Sequence, residues 1–401
     1  MPGTALVLEA GGARVAYQVG ALEVLLPVLE ERGERPDLLI GTSGGALLSA
    51  ALTSTAHLDA ETQMTRLRTL LGRATKKHVM APLWRQVPEV VARYVSETVG
   101  LDGFRLQGIF GTSPLEKTLS REIAWDRLHR NIEDGLVSAT VVTTTAVRTG
   151  EVVLFTETGG PDAMDLPTPP AEHHRRFIPT RLDTSHLMAS SAIPALFPAI
   201  EIEEPAEVAG WYVDGATRRR FPLAPAIELG ADRLLVIGTG RFSPPDHDAA
   251  KDSVPVDLGD AAATLLGAVM DEPLRHDFAS IADVNAKVVD PDLAGPLAAH
   301  RSARGKRAHR EVPFAGISPT AGADLAELAL EVYEANHGSL RATLRDPDMQ
   351  VMHRLLGSDS PLQGELLSYL LFDQDFFDGA AEMGSRDARQ WLEDRPDVWR
   401  T

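Results

Sequence analysis

The stretch that decides the fold is Leu38-Leu39-Ile40-Gly41-Thr42-Ser43-Gly44-Gly45-Ala46. A short apolar run ends in a serine flanked by glycines, and small residues then continue as far as Thr53. The apolar run predicts a buried strand and the small residues predict a helix, so Ser43 lies in the turn between them. This strand–turn–helix context is the one in which the pattern G-x-S-x-G forms a nucleophile elbow.

The glycines of this turn have separate predicted roles. Gly41 and Gly45 relieve crowding, because larger side chains on either side of a sharp turn would collide. The helix predicted over Ala46–Thr53 has its N-terminus close to Ser43, which lowers the cost of negative charge there. A plain glycine-rich turn with an incidental serine fits the five residues equally well, so the interpretation depends on the rest of the chain.

Two further turns follow predicted strands. The first is Ala10-Gly11-Gly12-Ala13-Arg14, after the apolar residues 4–8. Its small residues can leave several backbone N–H groups pointing at one spot, as in an oxyanion hole. A plain turn is the alternative, whereas the dinucleotide fingerprint G-x-G-x-x-G does not fit this order. The second is Val213-Asp214-Gly215-Ala216, where Asp-Gly is also an ordinary turn dipeptide.

The alternation of strands and helices predicts an α/β fold, a three-layer sandwich with a mostly parallel central sheet. Residues 1–240 are predicted to form the main domain, with 57–135 as a helical cap or insertion and 158–180 as a surface loop. Residues 241–401 show mainly helical periodicity and are expected to pack on the core after a linker at 241–256. Short strands are predicted near Lys287–Val289 and Val312–Ile317.

Composition excludes several kinds of chemistry. The 401 residues include 39 Lys and Arg against 57 Asp and Glu, which gives a net charge of −18, and no Cys. Cysteine nucleophiles, thiolate metal sites and disulfides are therefore excluded, and the acidic balance disfavours nucleic acid and anionic membranes as partners. We find no basic leader and no apolar run of about 18 residues, so we expect neither a signal peptide nor a membrane span, and a cytoplasmic location.

Taken in order, these motifs resemble the patatin-like phospholipase family. Two more segments carry the resemblance. Ala189-Ser190-Ser191-Ala192-Ile193-Pro194-Ala195-Leu196-Phe197-Pro198 matches the family's A-S-x-A-x-P-x-x-F-P segment. Phe221-Pro222-Leu223-Ala224-Pro225-Ala226, followed by Gly230-Ala231-Asp232, is similar to the helix and last core strand that follow the family's aspartate. The resemblance covers about residues 4–240.

The resemblance implies a serine acyl hydrolase that cleaves lipid acyl esters through an acyl-enzyme, with Ser43 as the nucleophile and Asp214 as the base. A desolvated pocket would raise the pKa of Asp214 and so help it accept a proton. No metal or organic cofactor is implied, and the expected partner is a lipid or acyl-ester substrate met by transient membrane or micelle contact, not nucleic acid. The implied oxyanion hole comprises Gly11, Gly12, Ala13 and Arg14, and the implied nucleophile elbow comprises Gly41, Gly44 and Gly45.

The chain departs from the family pattern at two positions of the first turn. Ala10 and Val15 stand where the family usually has glycines. Val15 is β-branched and disfavours positive φ, so the backbone there is expected to be conventional. These departures keep a catalytically silent, lipid- or protein-binding relative open as an alternative. An acyltransferase or thioesterase using the same nucleophile is another.

Other site types find weaker support in the sequence. A Ser-Asp-His triad would need a histidine after Asp214, and no later histidine lies in a loop that recommends it. His186 falls in a predicted helix and is expected to pack or to cap it. The adjacent pair His173-His174 is a poor metal site, and no H-E-x-x-H occurs. The apolar region around Trp84 is a candidate cover for an acyl chain, with ordinary helix packing as the alternative.

Overall fold

The structure is a computed structural model that describes residues 3–81, 108, 110–159, 164–218, 223–242, 264, 272–305, 308–320, 324–338 and 363–400. Trp84 and residues 243–256 of the predicted linker lie outside this range. Within it, nine strands form one sheet. They are β1 Thr4–Leu8, β2 Leu38–Thr42, β3 Ala139–Ala146, β4 Val152–Thr158, β5 Arg175–Pro179, β6 Ile200–Ile202, β7 Gly210–Asp214, β8 Arg233–Ile237 and β9 Phe314–Ile317.

The central strands of the sheet run parallel, as the sequence predicted. The main path is β5-β4-β3-β2-β1-β8-β9, and every pairing from β3 to β9 along it is parallel. Strand β4 is antiparallel to β3, and β5 is parallel to β4. Strands β6 and β7 form an antiparallel pair that joins the sheet through β3.

Helices cover both faces of the sheet. They are α1 Val15–Glu31, α2 Gly44–Ser54, α3 Ala60–Arg73, α4 Lys76–Val79, α5 Ser113–Glu122, α6 Trp125–Glu133, α7 Thr184–Ser190, α8 Ala224–Glu228, α9 Glu272–Val289, α10 Ala294–Ser302, α11 Leu325–His337, α12 Gln363–Leu370 and α13 Gln374–Asp394. Successive strand residues enter different cores: Leu6 and Leu8 belong to one buried cluster, and Ala5 and Val7 to another. Because side chains alternate across a strand, this is the three-layer arrangement predicted from the sequence.

The C-terminal helix α13 packs directly on α1. A Cβ at Gly20 would lie 1.8 Å from the carbonyl oxygen of Ala381, and a Cβ at Gly384 would lie 2.0 Å from that of Tyr17. The two backbones therefore touch at the places where side chains are missing. The segment Gly12–Glu31 is the one described helix that is long and apolar enough to cross a membrane, and 67% of its most apolar window is buried inside this fold.

Several local predictions need correction. Lys287–Val289 is the end of helix α9 and not a strand, because the apolar face of that helix packs on the core and overrides the β-branched residues. The predicted loop 158–180 contains β5, an edge strand with the sequence Arg-Arg-Phe-Ile-Pro in which Phe177 and Ile178 are buried. The strand within Val312–Ile317 is confirmed as β9.

Candidate active site

Ser43 occupies a strained turn between β2 and α2. Its backbone has φ 55° and ψ −126°, a region that residues with a side chain rarely adopt. Such a conformation costs on the order of 1–3 kcal/mol and persists only where the surroundings enforce it. Although Ser43 stands at the N-cap position of α2, its side chain makes no capping hydrogen bond. The hydroxyl is therefore not used by the helix.

The glycines around Ser43 are required by close backbone contacts. A Cβ at Gly41 would lie 2.3 Å from the carbonyl oxygen of Gly45. A Cβ at Gly45 would lie 2.5 Å from the carbonyl oxygen of Leu8, at the end of the neighbouring strand. Both distances are shorter than van der Waals contact, so neither position accepts a side chain without movement of the backbone. The elbow is thus fixed by steric contacts between its own glycines and the sheet.

Strand β3 brings Asp214 to the elbow. Thr42, the last residue of β2, pairs with Thr143, and Asp214, the last residue of β7, pairs with the next residue, Thr144. Since β4 occupies the other edge of β3, the two strands meet end to end on the same edge. One residue along a strand spans about 3.4 Å, so this register places the carboxylate beside the turn that carries Ser43. Ser43 is 3% exposed and Asp214 is fully buried.

The segment 189–192 holds both residues by their backbones. The amide of Ser43 donates a 2.9 Å hydrogen bond to Oγ of Ser190, which itself donates to the carbonyl of Thr143 at 2.7 Å. The amide of Asp214 donates to the carbonyl of Ala192 at 2.9 Å. Oδ1 of Asp214 accepts from the amide of Ala216 at 2.9 Å, which orients the carboxylate. The sequence predicts no separate role for Ser190, which stands there only as part of the segment that resembles the family.

The first glycine-rich turn lies against the elbow. A Cβ at Gly44 would lie 3.0 Å from the carbonyl oxygen of Gly12 and 3.3 Å from its nitrogen. In the described part of the chain, the amides of Gly12, Ala13 and Gly44 donate to no backbone or side-chain acceptor. The amide of Arg14 instead donates to the carbonyl of Gly11 at 2.9 Å and is used within the turn. The described amides near Ser43 that have no acceptor therefore come from both turns.

The two departures from the family pattern leave this turn intact. Val15 has φ −53° and ψ −24° and begins α1 in ordinary helical conformation, as predicted from its β-branched side chain. Ala10 is buried, and its carbonyl accepts a 2.6 Å hydrogen bond from Oγ1 of Thr239. Gly12 is the residue with positive φ, at 52°, and a Cβ there would lie 2.2 Å from the carbonyl oxygen of Tyr369.

The side chain of Arg14 ties this turn to the C-terminal helix α12. It is 3% exposed. Nε donates to Oγ of Ser368 at 2.7 Å, and the guanidinium forms an ion pair with Glu365. The guanidinium carbon also lies 4.1 Å from the ring centroid of Tyr369, within cation–π range. The side chain of Arg14 thus anchors the backbone of the turn to α12, whereas the sequence predicted a place for Arg14 in the oxyanion hole.

An apolar cavity of about 160 Å³ opens beside Ser43. Leucine, valine, isoleucine and phenylalanine side chains line most of it, from helices α1 to α5 and from the C-terminal segment 369–377. Cavities that bind ligands are typically apolar with a few placed polar groups. Its polar lining residues are Ser43, Thr118, Glu122, Ser191 and Tyr369.

The alternatives based on histidine find no support at this cavity. His186 caps α7 in a reciprocal arrangement with Asp183, as predicted. Of the later histidines, the described ones do not line the cavity of Ser43. His247 and His353 lie outside the described residues. Within the ranges that the structure describes, no three His, Asp or Glu residues are grouped closely enough to hold a metal ion.

Comparison with known proteins places the chain in a family. No curated protein matches it. Among solved structures it is similar to the crystal structure of VipD from Legionella pneumophila, at 13% sequence identity and a TM-score of 0.36 over 98% of this chain and 67% of that chain. The family profile described as "Patatin-like phospholipase" matches residues 6–227, which is more than half of the sequence. The chain therefore belongs to the patatin-like phospholipase family.

Proposed function

We propose that this protein is a serine hydrolase that cleaves acyl esters of lipids through a Ser43–Asp214 dyad. The observation that carries the proposal is a strained serine that faces an apolar cavity and lies beside a buried carboxylate. Strain at a serine whose hydroxyl is not used structurally is typical of a nucleophile elbow. The apolar cavity suits a fatty acyl chain, since burying aliphatic surface is favourable without polar partners.

The reaction follows from the order of these groups. Ser43 attacks the ester carbonyl carbon, and its proton passes to the carboxylate of Asp214. The amides of Gly12, Ala13 and Gly44 stabilise the oxyanion, and each such donor is worth on the order of 3–4 kcal/mol in the transition state. The leaving alcohol takes the proton back from Asp214. Asp214 then takes a proton from water as the water oxygen bonds to the acyl carbon. The bond from that carbon to Ser43 Oγ breaks, the proton on Asp214 returns to Oγ, and the fatty acid is released.

The route of the substrate to the site is also a proposal. The net charge of −18 disfavours electrostatic docking on anionic membranes. We therefore expect access to neutral, micellar or monomeric esters by transient contact, from a cytoplasmic location. The polar head group would remain near the mouth of the cavity, because the lining beyond Ser43 is mostly aliphatic.

Hydrolysis of p-nitrophenyl esters of short and long acyl chains, and of a phospholipid, tests the proposal. We expect Ser43→Ala and Asp214→Asn each to lower kcat by at least about 1,000-fold, the scale seen when one member of a catalytic unit is removed. Ser54→Ala is a matched control, because this buried serine is the last residue of α2 and, among the described residues, its hydroxyl donates to the carbonyl of Ala51. Asp232→Asn is the control for Asp214→Asn, because the carboxylate of Asp232 is exposed.

The outcomes separate the candidate functions. Wild-type protein that hydrolyses none of these esters would favour a catalytically silent relative. Full activity in Ser43→Ala would place the nucleophile elsewhere. Transfer of the acyl group to an added alcohol in preference to water would identify an acyltransferase that uses the same acyl-enzyme.

A further inference from the structure

Ser191 is a buried serine whose hydroxyl has no partner. It follows the last residue of α7, is 8% exposed, and lines the same cavity as Ser43. Its Oγ is shielded from bulk water and makes no hydrogen bond with any residue that the structure describes. Buried polar groups are nearly always hydrogen-bonded, so an unpaired hydroxyl at this place calls for an explanation.

The position of Ser191 is fixed by its neighbours on both sides. Oγ of Ser190 accepts the amide of Ser43, and the carbonyl of Ala192 accepts the amide of Asp214. The amide of Ser191 itself donates to the carbonyl of Leu187 at 3.1 Å. The residue is therefore held between the two anchors of the dyad, and only rotation of its side chain among staggered positions remains free.

The chemistry of an ester leaves one acceptor for this hydroxyl. The carbonyl oxygen is directed to the free amides of Gly12, Ala13 and Gly44, and the acyl chain carries no acceptor. The alkoxy oxygen of the leaving group remains, at the same carbon that Ser43 attacks. Resting on the function proposed above, we infer that Ser191 Oγ donates a hydrogen bond to the alkoxy oxygen of the substrate and so favours departure of poor leaving groups.

The hydroxyl of Ser191 keeps its own proton throughout. As the bond from Ser43 Oγ to the carbonyl carbon forms, the proton of Ser43 moves to Asp214. When the bond from carbon to the alkoxy oxygen breaks, negative charge grows on that oxygen, and the proton on Asp214 transfers to it. The hydrogen bond from Ser191 is strongest while that charge is present, because charge-assisted hydrogen bonds are the stronger ones. It therefore stabilises the transition state more than the ground state.

A leaving-group series measures this effect. We compare kcat/KM of wild type and Ser191→Ala for p-nitrophenyl, phenyl and butyl esters of hexanoic acid, in order of rising pKa of the alcohol. The p-nitrophenolate ion leaves readily without help, so Ser191→Ala should lower kcat/KM for its ester by less than about threefold. For the butyl ester, Ser191→Ala should lower kcat/KM by about 10- to 100-fold, the range for one hydrogen bond to a charged oxygen.

Ser190→Ala is the matched comparison from the same helix end. Its hydroxyl positions the nucleophile, so its removal should lower kcat/KM by the same factor for all three esters. A loss in Ser191→Ala that is equally uniform would overturn the inference and leave the hydrolase proposal standing. Absence of wild-type activity on all three esters would instead remove the hydrolase proposal, and this inference with it.

Thermal unfolding supplies a second readout. Because the hydroxyl of Ser191 is unpaired, Ser191→Ala should unfold at the same temperature as wild type or at a higher one. If Ser191→Ala hydrolyses the butyl ester more slowly but unfolds at the same or a higher temperature than wild type, the hydroxyl serves catalysis and not stability. A clear fall in unfolding temperature would show that the hydroxyl has a structural partner, and the inference would fail.

Discussion

The two turns that build the candidate active site are held in different ways. The elbow around Ser43 is fixed by backbone contacts at Gly41 and Gly45. The turn Gly11–Arg14 is held from helix α12, more than 350 residues later in the chain, by polar contacts of Arg14 and by a close backbone contact at Gly12. The support of the elbow follows from a short motif and its neighbouring strand, whereas the support of the other turn is remote and depends on the complete fold. Substitutions in each turn distinguish the two kinds of support.

The largest effect is expected for the glycine contacts that hold the elbow around Ser43. Gly45→Ala would place a methyl group 2.5 Å from the carbonyl oxygen of Leu8, so β1 and α2 would have to separate. We expect a loss of about 3 kcal/mol in the free energy of unfolding, the upper range for overpacking. Urea unfolding measures it. Gly295→Ala is the control, because no atom lies within 4 Å of a Cβ there. Equal stability of the two variants would contradict steric fixation of the elbow.

The next largest effect is expected for the contacts of Arg14 with helix α12. Arg14→Met removes the ion pair with Glu365 and the hydrogen bond to Ser368. The turn would then hold its amides less well, and we expect kcat to fall about 100-fold with little change in KM, as for loss of an oxyanion donor.

The matched control for Arg14 is Arg233→Met. Arg233 also forms an ion pair, with Glu34, and lies over an aromatic ring, that of Trp399, at 5.4 Å from its centroid. It is remote from the cavity of Ser43, so its removal should leave kcat unchanged. If both variants lose activity alike, the effect of Arg14 is general destabilisation and not support of the turn.

A smaller effect is expected for the hydrogen bond between the amide of Ser43 and Oγ of Ser190. Ser190→Ala removes the acceptor of the Ser43 amide, but the glycine contacts remain. We expect kcat to fall about tenfold, the value of one net hydrogen bond. Ser385→Ala is the control, a buried serine that donates to the carbonyl of Gly20. A loss larger than that of Arg14→Met would reverse the comparison between the two turns.

The smallest effect concerns the cap of α7, the helix that presents Ser190. Burial alone would raise the pKa of Asp183, but hydrogen bonds from His186 and Ser185 outweigh it and hold the pKa well below its usual value. A lowered folded-state pKa gives stability that is present above the unfolded value, near pH 4, and is lost as the pH falls further. The side chain of Asp183 is 63% exposed, so solvent screening limits the gain to under about 1 kcal/mol.

Asp183→Asn tests this cap. Asparagine caps helices about as well as aspartate, so the variant should lose only the charge-dependent part of the stability. Urea unfolding at pH 7, 5 and 3 should show a small deficit at the two higher values that shrinks at the lowest one. A deficit that grows on acidification would contradict the sign of the pKa shift.

The sequence predicts the elements built from short-range signals. Apolar runs and glycine positions predict the strand–turn–helix around Ser43. They also predict that the central strands run parallel. The partners of Arg14 could not be predicted, because Glu365 and Ser368 lie on a short, mostly buried helix whose docking place depends on tertiary packing. The role of Ser190 was hidden for a similar reason, since its contact with Ser43 arises only when α7 packs under the elbow. Strand β5 was missed because its two strand-forming residues, Phe177 and Ile178, follow a segment rich in proline and glycine.

Trapping of the acyl-enzyme tests the central claim most directly. Wild-type protein is mixed with p-nitrophenyl hexanoate, quenched in acid, digested and analysed by mass spectrometry. We expect a hexanoyl group on the peptide that contains Ser43, its absence in Ser43→Ala, and much slower appearance in Asp214→Asn. A hexanoyl group on another residue, or equal acylation in Ser43→Ala, would contradict the account.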